Sequence, residues 1–211
     1  MKSLSWVLGM AGAWLAVACG SSSDGAADGA VTEADASAFV GIYKSTSHTE
    51  NKTSCAAPGD AVQGIKGDPY FVIYFGDIPE YHISYVTLIS CASVSECQAV
   101  PAKLKGMGFV IDDYSFTLST VTNDTTLSGF EASTGTSGDG NSCIKRHYSD
   151  HVLTVAADHS VHLESRLKYL ADRAQDSDGF CFAEVAQEKS EAAGKPCSEL
   201  QVLDGTFVQA L

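Results

Sequence analysis

Residues 161–169 carry the clearest periodicity in the chain. Val161, Leu163, Leu167 and Tyr169 alternate with His162, Glu164, Arg166 and Lys168, and a period of two sets one group on a core face and the other in solvent. His151 to Ala156 reads as a preceding strand, and Ala157-Asp158-His159-Ser160 is short enough to join the two as a hairpin. The same rhythm recurs upstream, where Tyr114, Phe116 and Leu118 alternate with Ser115, Thr117 and Ser119. Asn123-Asp124 is then a turn, and Thr125 to Ala132 a returning strand with Gly129 as a bulge.

Other strands announce themselves by composition. Phe39 to Tyr43 is rich in strand formers and runs on through Thr49, while Tyr70 to Phe75 is an unbroken apolar run between Pro69 and Gly76. His82 to Cys91 is apolar on both faces and reads as a central strand; Gly108 to Ile111 is strand-like and stops at Asp112. Residues 51–69 and 133–142 read as loops. From Asp178 the period lengthens to that of a helix, with Phe182, Val185, Ala186 and Lys189 on one face, Gly194 ending it and Pro196 preventing continuation. Leu200 to Phe207 is a last strand or a docked tail. The whole predicts a mainly β domain over 38–211, an antiparallel barrel or sandwich of about eight strands with one C-terminal helix.

The first 37 residues obey different rules. Lys2 supplies a positive start and Leu4 to Leu15 an apolar core too short to span a bilayer, so residues 1–18 read as a secretory leader. Ala16-Val17-Ala18-Cys19 resembles the lipobox of bacterial lipoproteins, in which cleavage leaves the cysteine first and its thiol carries a diacylglycerol. Lipoboxes usually carry Leu where this chain has Ala16, and Ala16-Val17-Ala18 also suits the A-x-A site of an ordinary secreted protein. The lipobox resemblance implies a membrane anchor at Cys19. Gly20 in place of Asp after that cysteine implies sorting to the outer membrane of a Gram-negative envelope. Residues 19–37, mostly Gly, Ser, Ala, Asp and Thr, are expected to be a mobile tether.

Cysteine parity changes the picture further. Seven cysteines are awkward in an oxidising compartment, and lipidation of Cys19 leaves six for three disulfides. The spacing suggests Cys91 with Cys97 across a short polar loop, Cys181 with Cys197 pinning the helix to the segment after it, and Cys55 with Cys143 as the remainder. The absence of any C-x-x-C pair disfavours zinc. The formal charge of −13 repels phosphate backbones and anionic lipid heads, which argues against nucleic acid and against electrostatic membrane docking.

Candidate chemistry is sparse, and the sequence predicts no catalytic residue, cofactor or metal. Ser149-Asp150-His151 holds the residue types of a hydrolytic triad, yet strand neighbours point to opposite faces. His147, His151, His159 and His162 are close in sequence, but exposed histidines on strands and turns are ordinary. Asp176-Ser177-Asp178-Gly179 echoes part of a calcium loop without its correctly spaced Glu, and capping a helix explains it better.

About eight strands, then a helix and a further strand, is the order of the calycins, and at that level the domain resembles a lipocalin. Gly41-Ile42-Tyr43 stands where lipocalins keep Gly-x-Trp, with Tyr43 in place of the tryptophan. The resemblance implies a basic residue over that ring, for which Arg166 and Arg173 are the candidates. It also implies a cavity, into which Tyr74, Tyr85, Phe116, Tyr148 and Tyr169 would point as walls for a small lipophilic ligand; the alternative is that they fill the core. The expected function is that of a lipid-anchored, non-enzymatic envelope lipoprotein that binds such a ligand in a β-barrel, or alternatively meets an envelope protein.

Overall fold

The structure, a computed structural model, describes residues 31–78, 83–104, 117–177, 179, 181 and 185–211. The expected leader, Cys19, most of the tether, Phe116 and the strand-like 108–111 lie outside these residues.

In chain order the elements are α1 (Glu33–Ala36), β1 (Gly41–Asn51), β2 (Asp60–Ala61), β3 (Tyr70–Ile78), β4 (Ile83–Cys91), α2 (Val94–Leu104), β5 (Thr117–Leu118), β6 (Thr120–Asn123), β7 (Thr126–Thr136), β8 (Ser142–Val155), β9 (Val161–Tyr169), β10 (Arg173–Ala174), α3 (Val185–Ala193) and β11 (Glu199–Gln209). The strands form one antiparallel sheet in the order β5-β4-β3-β1-β11-β9-β8-β7-β6, curled into a half-barrel. Of the two architectures open to the sequence, the single curled sheet is therefore the one adopted. Its two ends meet through one stretch of chain: Thr117 and Leu118 pair with Thr87 and Val86 of β4, and after Ser119 the chain pairs with β7 instead.

The concave face is packed from a ladder of leucines. Leu127, Leu153, Leu163 and Leu203 stand opposite one another across β7, β8, β9 and β11, and all four are buried. Tyr43 stacks on Phe71 with ring centroids 5.4 Å apart and donates its hydroxyl to the Phe39 carbonyl at 2.7 Å. Gly205 makes room for this pair, since a Cβ there would sit 2.4 Å from Phe71 Cζ. Neither candidate arginine covers Tyr43 in the way the lipocalin resemblance implied: Arg166 pairs with Glu164 on the convex face, and Arg173 pairs with Glu188.

The folded domain begins earlier than the composition suggests. Val31 is 1% exposed, its N–H donates to the Ser119 carbonyl, and Thr32 and Asp35 form a reciprocal capping box that starts α1. Val31, Ala36 and Phe39 thus plug one end of the barrel, and residues 31–37 belong to the domain and not to the tether. The small and polar residues around Val31 conceal this start, because Val31 is the one large apolar side chain among residues 31–37.

α2 has no counterpart among the elements expected from the sequence. Ser93 caps it, its Oγ accepting from the Glu96 N–H, while Glu96 Oε2 reaches back to accept from the Ala92 N–H. The helix lays Cys97 and Val100 over Ile42 and Val72 on the convex face. That cover explains why β4 is apolar on both faces although it lies next to the two-residue β5, and not at the centre of the sheet as predicted. The bulge expected at Gly129 lies instead between Ser133 and Gly135, opposite Lys145 with its φ of 53°. Among the described side chains of α3, Glu188 and Ala192 are buried, while the predicted face residues Ala186 and Lys189 are exposed.

The six cysteines of the domain form three disulfides, and one of the three expected pairings holds. Cys91–Cys97 is as predicted, but Cys55 joins Cys197 and Cys143 joins Cys181. Topology sets these pairings. β1 and β11 are neighbours, which brings the residues flanking Asn51 and Glu199 together, and β10 pairs with Cys143 just before the segment that carries Cys181.

Candidate functional site

Beyond the leucine ladder the concave face changes character. The next row across the sheet is Gly129, His151, Ser165, Gln201 and Glu50; the row after it is Glu131, Ser149, Leu167 and Glu199; a third holds Ser133, His147 and Tyr169. Because opposed residues in an antiparallel ladder share a face, all of these stand on the leucine side. The interior is therefore apolar at the end plugged by Val31 and Phe39 and polar at the other.

His151, Ser149 and Ser165 are buried in this polar end. Burial pulls the His151 imidazole down to about 4, so it is neutral at pH 7, and the Glu131 carboxylate lies 4.0 Å from its Nε2. Burial also raises Glu131 above the usual carboxylate range. His147 is lowered by burial, opposed by its bond to the Lys145 backbone and by Glu199. Tyr169 donates its hydroxyl to Glu199, a bond that raises the phenol above its ordinary value. On the adjoining β1, His48 Nδ1 donates to the Gly64 carbonyl at 2.5 Å, and Lys52 Nζ stands 3.2 Å from Glu50. These groups offer hydrogen bonds and negative charge to a polar guest.

Among the described residues no group of three or more His, Cys, Asp or Glu side chains is placed to hold a metal ion. The four histidines near in sequence separate. His147 and His151 face inward, His159 sits in the turn before β9, and His162 donates from Nδ1 to Asp204 at 2.7 Å on the convex face. Ser149 and His151 share the inner face while Asp150 points the other way, so that triplet is split as strand geometry requires.

The aromatic residues expected as cavity walls do not converge. Tyr74 lies between Ile73 and Phe75, both on the core side, and therefore faces outward. Tyr85 precedes Val86, which is on the core side, and so faces outward across Gly76, where a Cβ would stand 2.4 Å from its Cζ; burial raises its phenol. Tyr148 is on the convex face, stacked on Phe130 at 5.8 Å and packed with Leu170 and Ala192; burial and the nearby Asp150 carboxylate push its phenol up. Tyr169 faces inward but is 53% exposed at the rim. Phe116 lies outside the described residues. The continuous aromatic runs hide this arrangement, because in an unbroken run parity does not show which face is core.

The polar rows leave only a faint trace in the sequence. Ser149, His151 and Ser165 break the hydrophobic alternation in β8 and β9, and their signal is that the apolar set thins toward Tyr169. No helix among the described residues is long and apolar enough to cross a membrane. Compared with known proteins, the chain matches no family model, no curated protein and no solved structure.

Proposed function

We propose that this chain is an exported lipoprotein, held by a diacylglyceryl group on Cys19 in the cell envelope, at the outer membrane, and that its half-barrel acts there by non-catalytic interaction with an envelope protein. The observation that carries the reading is cysteine parity. Three disulfides consume Cys55, Cys91, Cys97, Cys143, Cys181 and Cys197, which leaves Cys19 with no partner in its own chain. Three disulfides suit an oxidising compartment, and an apolar leader ending in Ala16-Val17-Ala18 suits export. Fractionation tests it: Cys19→Ser should move the protein from the membrane to the soluble fraction. Unchanged fractionation would contradict the anchor.

A second reading, the binding of a small ligand, is favoured by the polar rows on the concave face. A lipophilic guest loses support because Tyr74, Tyr85 and Tyr148 stand on the outer face. The guest that fits Glu131, Ser149, His151 and Ser165 is polar, and native mass spectrometry of protein purified from its envelope would reveal it as a bound mass.

A further inference from the structure

Half of the large apolar side chains exposed among the described residues lie within five consecutive positions. Phe207 is 39% exposed, Val208 41% and Leu211 44%; the other three, Val62, Val152 and Tyr169, are scattered over the domain. Phe207 stands opposite Tyr43 and Gln209 opposite Ile42, so Val208 is the extra residue of a bulge close to the end of β11. The clustering of Phe207, Val208 and Leu211 marks this end of the strand as the part in contact with an apolar medium.

That end is also where the tether joins. β11 runs antiparallel to β1, which places Gln209 opposite Ile42 and Phe207 opposite Tyr43, at the end plugged by Val31, α1 and Phe39. Eleven residues separate Cys19 from Val31. A chain of that length reaches about 40 Å fully extended and has a root-mean-square span of about 20 Å as a flexible coil. An acyl group on Cys19 therefore holds this end within about 40 Å of the bilayer.

We infer that Phe207, Val208 and Leu211 form a membrane-contacting rim that seats the barrel end on the bilayer holding its anchor. The inference rests on lipidation of Cys19. The charges around the rim select the lipid: Glu33 and Asp35 on α1 and Asp158 in the turn before β9 outnumber Lys44, and His159 packs against Phe207. Such a rim is repelled by anionic head groups and suits a zwitterionic surface, entered by apolar contact and little affected by salt. Seated this way, the barrel turns its polar end, with Glu131, His151 and Glu199, away from the membrane.

Both tryptophans, Trp6 and Trp14, precede Cys19, so the processed chain has none and a single introduced tryptophan reports alone. Lipidated full-length protein carrying Phe207→Trp, or Val208→Trp should the first disturb the packing on Tyr43, is reconstituted into phosphatidylcholine vesicles with brominated acyl chains. Val152→Trp serves as the control on the convex face. The expected result is blue-shifted emission and bromolipid quenching at the rim positions, unchanged in high salt, and neither effect at position 152. Protein that floats with the vesicles while all reporters stay unquenched overturns the rim and leaves the anchor standing. Protein that does not float overturns the anchor, and the rim with it.

Discussion

Arg146 and Glu188 form an ion pair 2.7 Å long, with side chains only 1% and 7% exposed, that fastens α3 to β8. Arg146 also donates to the Ala171 carbonyl at 2.6 Å and to Glu191 at 2.8 Å, and Arg173 takes the other oxygen of Glu188 at 2.9 Å. The partners share unequal burial, since Glu191 is 35% exposed. Removing one member of a buried pair leaves the other desolvated and uncompensated, whereas an exposed partner is replaced by water.

Arg146→Ala should accordingly lower the free energy of unfolding by roughly 3–5 kcal/mol. Glu191→Ala should cost less than about 1 kcal/mol. Guanidinium titration of the two variants measures both, and equal losses would show that the network does not work through burial.

Buried His151 makes stability depend on pH. Its folded value of about 4 lies below the ordinary 6.5, so the unfolded chain takes up the proton first, and stability falls as pH drops from about 6.5 to about 4. A difference of that size corresponds to about 3 kcal/mol at most. Glu131 acts in the opposite sense: its raised value means that protonation near the ordinary carboxylate range favours the folded state and offsets part of the loss. Denaturant titrations at pH 7 and pH 4.5 should show a smaller loss for His151→Leu than for the parent. An unchanged loss would assign the acid sensitivity to other groups.

The three disulfides should differ in weight because they close loops of different length. Their sequence separations are 142 for Cys55–Cys197, 38 for Cys143–Cys181 and 6 for Cys91–Cys97. Loop-closure entropy gives about 5, 4 and 2 kcal/mol respectively. Paired Cys→Ser variants should lose thermal stability in that order. Non-reducing peptide mapping should link Cys55 to Cys197, and a Cys181–Cys197 peptide would contradict the topology.

Gly205 faces the Phe71 ring too closely for any side chain. Gly205→Ala should cost about 1–3 kcal/mol through overpacking. Adding Phe71→Leu should recover part of that loss in the double variant, and strictly additive losses would mean that the two residues do not meet.

Where apolar and polar residues alternate, as from Val161 to Tyr169, the sequence displays both the strand and the face that becomes core. Where a strand is covered on both sides, as β4 is by the barrel interior and α2, the alternation vanishes and its place in the sheet cannot be read. α2 itself carries a readable signal in Ser93 and Glu96, outweighed by the small and polar residues around it. The pairing of Cys55 with Cys197 depends on β1 lying beside β11, a contact between chain segments about 150 residues apart that no local pattern encodes. The polar rows of the concave face are hidden for the same reason: Glu131, His151, Ser165 and Gln201 come from four strands, and only the register across them makes one surface.

The anchor at Cys19 is the claim on which the envelope reading turns, and intact-mass analysis of the protein isolated from its native membrane tests it most directly. The predicted result is a chain beginning at Cys19, heavier than its polypeptide by a diacylglyceryl group, with six cysteines oxidised. A mass equal to the bare polypeptide, with Cys19 present as a free thiol or already removed, would contradict it.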